Sequence, residues 1–90
     1  MARDPEIEEL RAQIADVDRT ILEAVNTRLR LVEHLRAYKE EQGLLFLDVP
    51  QEHKLLRSLG RANRGPLSEK GVKQLFGEIL ELTKRELRGR

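Results

Sequence analysis

The feature of this sequence that most limits its possible folds is a long, uninterrupted helical pattern near its start. No glycine or proline occurs between Pro5 and Gly43. Apolar residues in this stretch recur at steps of three and four, the spacing of one helix face and close to a heptad. Asp4 can cap the first free N–H groups, and Pro5 suits the first helical position. We predict one helix from about residue 5 to about residue 41. Its apolar stripe consists of Ile7, Leu10, Ile14, Val17, Ile21, Leu22, Val25, Leu29, Val32, Leu35 and Tyr38.

This helix is too long for a chain of 90 residues to cover alone. At 1.5 Å per residue it extends roughly 55 Å, whereas a compact domain of this size has a radius of gyration of about 12 Å. A lone chain this short also buries only a modest part of its surface. The stripe therefore needs later helices folded along it and a second copy of the chain, related by a two-fold axis.

A loop and a second helix are predicted after the long one. Gly43 ends the first helix, and the apolar segment 44–47 is interpreted as a buried loop because no partner strand lies nearby. Asp48 is a good N-cap, and Gln51 stands three residues on, as in a capping box. This second helix should end within 60–63.

A third helix is predicted from Ser68, which caps it after a turn at 63–66. We expect the tail 85–90 to fray. The result is an all-α, single-domain chain (1–90) of one very long and two shorter helices. The third helix carries on one side Val72, Leu75, Phe76, Ile79, Leu80, Thr83 and Leu87.

The composition argues against several classes of function. The chain has no cysteine, and His34 and His53 lack ligand spacing, so we expect no metal site. A net charge of +1 and only three aromatic residues argue against nucleic-acid binding. No apolar run approaches about 20 residues, and residues 1–6 lack the apolar stretch of a signal peptide. We expect a cytoplasmic protein.

Three cations on the first helix could form a binding site. Arg28 and Lys39 are eleven residues apart, hence about 20° apart around the helix and about 16 Å apart along it. They could hold opposite ends of one small anion. Arg11 lies about 42 Å from Lys39 along the axis, too far to share a pocket within one chain. In an antiparallel dimer, Arg11 of one chain could reach the pocket of the other.

The simpler interpretation is that such cations are solvated surface, as most helical arginines and lysines are. We assign Arg19, Arg30 and Arg36 to this group. Asp48 and Glu52 can likewise be explained as a helix cap and a first-turn acid favoured by the helix dipole.

The whole pattern resembles the all-helical (AroQ-class) chorismate mutases over nearly the entire chain. The resemblance implies an intertwined antiparallel homodimer that rearranges chorismate to prephenate in phenylalanine and tyrosine biosynthesis, without cofactor or metal. The reaction is unimolecular and pericyclic, so the protein needs only to hold the substrate and stabilise developing charge. The residues that carry the resemblance are Leu10-Arg11-Ala12-Gln13-Ile14, Val17-Asp18, Ile21-Leu22, Arg28, Lys39, Asp48, Glu52 and Leu75-Phe76.

The resemblance also implies a role for individual residues. Arg28, with Arg11 from the partner chain, would bind the two substrate carboxylates through bidentate guanidinium contacts. Lys39 would lie beside the ether oxygen and one carboxylate. Glu52, helped by Asp48, would accept a hydrogen bond from the ring hydroxyl. Lys39, Arg28 and Glu52 are thus the predicted catalytic residues.

Three further predicted substrate contacts depart from the family pattern or follow it loosely. Gln51 stands where many members have arginine. Thr83 and Leu87 stand where members place a small hydroxyl residue and then a glutamine or glutamate facing the ether oxygen. Thr83 is an acceptable substitute, but Leu87 can donate no hydrogen bond, although a slip of one residue would bring Glu86 or Arg88 there instead. Losing one such donor costs about 3 kcal/mol, roughly a hundredfold in rate.

Several functions therefore remain open. The chain can be a weak mutase that a partner such as DAHP synthase, the first enzyme of the shikimate pathway, activates. It can be an isochorismate pyruvate lyase or an amino-deoxychorismate mutase of the same fold, although Asp48 and Glu52 favour a ring hydroxyl. It can also be a non-catalytic regulatory or dimerisation module, or a generic helical interaction domain.

Overall fold

Three α-helices form the regular structure of the computed structural model, which describes residues 4–88. They are α1 (Pro5–Glu41), α2 (Val49–Ala62) and α3 (Glu69–Arg88). No strand occurs within the described range. The all-α prediction of one very long and two shorter helices is confirmed. The signal-peptide prediction rests partly on residues 1–3, which lie outside the described residues.

The chain divides into two compact units, an N-terminal unit up to Leu31 and a C-terminal unit from Val32 onward. In the N-terminal unit, the predicted Asp4 cap is present, with Oδ1 accepting hydrogen bonds from the backbone N–H of Glu6 (3.0 Å) and Ile7 (3.4 Å). Leu29 is the buried apolar residue of α1.

Most of the apolar stripe of the N-terminal unit is exposed in the single chain. Its side chains keep between 46% and 62% of their surface accessible. We call this set the α1 stripe: Ile7, Leu10, Ile14, Val17, Ile21 and Leu22. An apolar face of this size on a soluble helix normally marks an interaction surface.

In the C-terminal unit, α1 ends at Glu41, and Gly43 follows as the predicted terminating glycine. Gly43 has a φ of +69°, the left-handed conformation that glycine adopts without steric cost, and the backbone N–H of Leu44 donates to the carbonyl of Lys39 (2.8 Å). The segment 44–47 is a loop, but its predicted burial is wrong: Leu44, Leu45 and Leu47 are largely exposed. The loop runs over the surface of the chain, where water can satisfy its backbone groups.

The helices α2 and α3 pack against each other, and side-chain caps fix where each begins. Asp48 Oδ1 accepts a hydrogen bond from the backbone N–H of Gln51 (3.1 Å), and Ser68 Oγ accepts one from Gly71 (2.9 Å). Between the helices, Asn63 Oδ1 accepts from the N–H of Gly65 (3.0 Å). The predicted caps and turn are therefore confirmed.

The end of α3 differs from the prediction. The prediction that the tail 85–90 frays is wrong for residues 85–88, because α3 continues through Arg88. Residues 89 and 90 lie outside the described part. The physical reason is Leu87, which is only 1% exposed and so anchors the last turn in the interior. Val72 and Thr83 are the other buried residues of α3.

Candidate active site

Lys39 lies in the last turn of α1 and is half-buried. Its Nζ donates a hydrogen bond to the backbone carbonyl of Phe46, 3.2 Å away. This contact joins the end of α1 to the loop that leads into α2. The ammonium group is therefore held in place, although an ammonium offers three donors and this bond uses one of them.

The first turn of α2 carries the predicted acidic residues. Asp48 and Gln51 are exposed, whereas Glu52 is half-buried. The free N–H groups of a helix start favour negative charge, so the cap at Asp48 and the acid at Glu52 both suit this position. The cap alone, however, does not explain why Glu52 is less exposed than its neighbours.

Glu52 pairs with Lys84 of α3 in a partly buried ion pair. The Lys84 Nζ lies 2.9 Å from Glu52 Oε1, and the two side chains are only 30% and 24% exposed. Lys84 also lies 3.4 Å from Glu81. The hydrogen bond to Glu52 is the main reason that the pKa of Lys84 is raised, with desolvation opposing it, so Lys84 stays charged near neutral pH. The sequence prediction missed Lys84, because no local spacing relates it to Glu52.

The two predicted site residues near the end of α3 are buried. Thr83 is 6% and Leu87 is 1% exposed. The Thr83 hydroxyl donates to the backbone carbonyl of Ile79 (2.7 Å), a common bond for threonine within a helix. The role of Thr83 and Leu87 in binding a substrate stays a prediction.

Arg36 is not the surface residue that we expected. Its guanidinium donates to the backbone carbonyl of Leu87 at 2.9 Å in a partly buried contact. The last carbonyls of a helix lack partners within the helix, and a cation can satisfy them. Arg30 and Arg19 do fit the surface assignment, since both are exposed and bond to residues three positions earlier on α1.

These bonds link all the helical segments of the C-terminal unit. Arg36 joins α1 to the end of α3, Lys39 joins α1 to the loop, the Asp48 cap joins the loop to α2, and Glu52 joins α2 back to α3 through Lys84. We call this set of bonds the contact circuit. It connects a cation, Lys39, and a carboxylate, Glu52, that the family resemblance implies act in one site.

The remaining two predicted residues belong to the N-terminal unit. Arg28 is half-buried, unlike the exposed Arg30 nearby, and Arg11 is exposed. Arg11 is four residues after Ile7 and three before Ile14, spacings that make helical residues neighbours, so a protein that covered the α1 stripe would lie near Arg11.

Outside these residues, the described chain has a cavity but no metal-binding cluster. No group of three or more histidine, acidic or cysteine residues within residues 4–88 could hold a metal ion. None of the helices in that range is long and apolar enough to cross a membrane. A cavity of about 530 Å³ lies between the end of α2 and the start of α3, lined in part by Leu56, Arg61 and Val72. None of the predicted site residues lines it.

Comparison with known proteins supports the resemblance. Residues 10–87 match the family described as chorismate mutase type II. Two solved structures of chorismate mutase from Thermus thermophilus are similar to this chain. Form I is 32% identical with a TM-score of 0.84, covering 87% of this chain and 98% of that one. Form II is 31% identical with a TM-score of 0.85, covering 89% and 91%. No curated protein sequence matches the chain. With the family match spanning nearly the whole sequence, the chain belongs to the chorismate mutase type II family, whose members are isomerases.

Proposed function

We propose that residues 1–90 act as one chorismate mutase domain whose substrate site is built on the contact circuit. Lys39 binds the ether oxygen and one carboxylate of chorismate, and Glu52, helped by Asp48, accepts a hydrogen bond from the ring hydroxyl. Arg28, eleven residues before Lys39 on α1, binds a carboxylate. The observation that carries this proposal is that hydrogen bonds and an ion pair hold Lys39 and Glu52 within one compact unit.

The hydrogen-bonding capacity of these groups suits the reaction. Lys39 uses one of its three donors on Phe46, which leaves two for a substrate. Glu52 uses Oε1 on Lys84, which leaves its second oxygen for a hydroxyl donor. The rearrangement needs no nucleophile and no obligatory proton transfer. A fixed cation near the breaking ether bond therefore supplies the electrostatic stabilisation that the transition state requires.

Two positions argue for a modest rate in the isolated protein. Gln51 is exposed and neutral, so it offers at most an uncharged hydrogen bond. Leu87 has no polar side-chain atom. If a donor is missing at one of these positions, the loss is about 3 kcal/mol, or roughly a hundredfold in rate. A partner, of which DAHP synthase is our candidate, would then raise the activity. Full activity of the purified chain alone would contradict this part of the proposal.

We propose that a second chain contributes to the same site. Along a helix, Arg11 lies about 42 Å from Lys39, so the two cannot contact one small molecule within a chain. The exposed α1 stripe gives a second copy an apolar face to cover. Arg11 neighbours Ile7 and Ile14 of this stripe by its spacing on the helix. We propose an antiparallel homodimer in which Arg11 of each chain completes the site of the other.

A spectrophotometric assay tests the activity and the site. Chorismate is mixed with the protein, the loss of its absorbance is followed, and acid then converts prephenate to phenylpyruvate for detection. Lys39→Ala should lose nearly all turnover while keeping its helical circular dichroism. Lys54→Ala, on an exposed lysine of α2, is the matched control and should retain its rate. A Lys39→Ala variant as active as wild type would refute the site assignment.

Other substrates separate the alternative functions. Release of pyruvate from isochorismate without mutase turnover would identify a lyase, and turnover of amino-deoxychorismate alone would identify that mutase. A folded protein that neither binds nor converts any of the three would be a non-catalytic module.

Mixing two inactive variants tests the shared site directly. Arg11→Ala and Lys39→Ala chains, refolded together in equal amounts, form mixed dimers in half of the cases. Each mixed dimer has one site with both residues intact, so about a quarter of wild-type activity should return. If both residues served the same chain, no site would be restored, and the mixture would stay inactive.

A further inference from the structure

The ion pair between Lys84 and Glu52 differs from the other ion pairs described in this chain. The pairs Arg19–Asp16 and Arg85–Glu78 each lie within one helix, and their side chains are at least half exposed. Exposed pairs of that kind contribute little to stability. The Lys84–Glu52 pair instead joins two helices, and about three-quarters of the Glu52 side chain is shielded from water. A pair with these properties fixes the position of a carboxylate that would otherwise rotate freely.

Because Glu52 belongs to the proposed site, this pair affects how the site binds an anionic substrate. Glu52 is the proposed acceptor for the ring hydroxyl, and chorismate carries two carboxylates. An unpaired carboxylate close to a dianion repels it, and partial burial strengthens that repulsion. An adjacent ammonium neutralises the carboxylate and still leaves its second oxygen open to a donor.

We propose that Lys84 is a positioning residue that acts through Glu52. It neutralises the Glu52 carboxylate and orients it, so that Glu52 can accept a hydrogen bond from the hydroxyl of a dianionic substrate. This inference rests on the proposed function. Lys84 itself need not touch the substrate. Its contact with Glu81 at 3.4 Å is longer and lies on its own helix, so Glu52 is its main partner.

The kinetic effect of removing Lys84 follows from its role. The repulsion from an unneutralised Glu52 acts on the substrate and on the transition state alike, so it weakens binding uniformly. Lys84→Met should therefore raise KM about tenfold and change kcat less than about threefold. Lys84→Arg keeps the charge and should stay within about threefold of wild type in kcat/KM. Lys73→Met, on an exposed lysine of the same helix, is the matched control and should leave both constants unchanged.

A double-variant experiment separates action through Glu52 from a general attraction of anions. If Lys84 works by neutralising Glu52, Lys84→Met should have no further effect on kcat/KM in a Glu52→Gln background. If Lys84 attracts or contacts the dianion itself, the two effects should multiply, and the inference would be overturned. Circular dichroism and the thermal midpoint are measured for each variant. Lys84→Gln replaces Lys84→Met if the latter does not fold.

The failure of this inference can be told apart from that of the proposed function. A wild-type chain without turnover of chorismate would reject both. An active wild-type chain whose Lys84→Met variant keeps its KM would reject the role of Lys84 alone.

Discussion

The exposed α1 stripe makes a quantitative prediction about dimer formation. Ile14 lies in the middle of the stripe and is 60% exposed in the single chain. In the proposed dimer this surface is covered by the partner. Ile14→Ala should therefore weaken the dimer without disturbing α1, because alanine is the best helix former.

The magnitude follows from the exposed area. Complete burial of an isoleucine side chain is worth about 1.5–3 kcal/mol, so burying the exposed 60% of Ile14 contributes on the order of 1–2 kcal/mol. A symmetric dimer contains the substitution in both chains, so the free energy of association should fall by roughly 2–4 kcal/mol per dimer. Each 1.4 kcal/mol is tenfold in affinity, so the dissociation constant should rise by about two orders of magnitude.

Sedimentation and activity measured over a dilution series provide the assay. Wild type and Ile14→Ala should differ in the chain concentration at which mass and specific activity fall together. The control is Glu23→Ala. Glu23 is nine residues from Ile14, hence about 180° around the helix, and is exposed. This control should dissociate like wild type.

Two results would refute the reasoning. One is a wild-type chain that is monomeric and fully active, because the stripe would then have another purpose. The other is an Ile14→Ala dimer with an unchanged dissociation constant, because the stripe would then lie outside the interface.

Further predictions concern the C-terminal unit, and each can be checked by chemical denaturation. Arg36→Met should lower the free energy of unfolding by about 1–2 kcal/mol through loss of its bond to the end of α3, whereas the exposed Arg30→Met should change it by less than about 0.5 kcal/mol. Gly43→Ala should destabilise by about 1 kcal/mol because its φ is +69°, whereas Gly60→Ala, in helix α2 with open space around it, should stabilise by about 0.5–1 kcal/mol. The pKa of Lys84 is raised above its ordinary 10.5, so its contribution to stability should be complete at neutral pH and lost only as the pH rises above that value. As the pH is raised from neutral, the stability difference between wild type and Lys84→Met should persist to at least about pH 9, and its loss at a lower pH in this series would contradict the prediction.

Local signals predicted the helices well. Capping residues such as Asp4, Asp48 and Ser68, together with the positive φ of Gly43, act within a few residues of themselves. Their effects can therefore be read from the order of residues alone. The apolar periodicity of residues 5–41 predicted α1 correctly for the same reason, since the helix repeat is fixed by the backbone.

Contacts between distant parts of the chain could not be predicted in this way. The bond from Arg36 to Leu87 and the pairing of Glu52 with Lys84 depend on how α1, α2 and α3 meet in the C-terminal unit. The wrong prediction for the end of α3 has the same origin. A charged tail is expected to fray unless tertiary packing holds it, and it is the burial of Leu87 that holds this one.

The cap at Asp48 determines how substitutions there must be designed. Its carboxylate holds the start of α2, so removing the side-chain oxygen in Asp48→Ala would loosen the same turn that carries Glu52. A fall in the activity of Asp48→Ala would then have two causes that cannot be separated: an unwound first turn of α2 and the loss of the Asp48 carboxylate from the proposed site. Asparagine caps a helix about as well as aspartate. Asp48→Asn thus removes only the charge, and comparing the two variants assigns separate shares of the loss to helix order and to electrostatics.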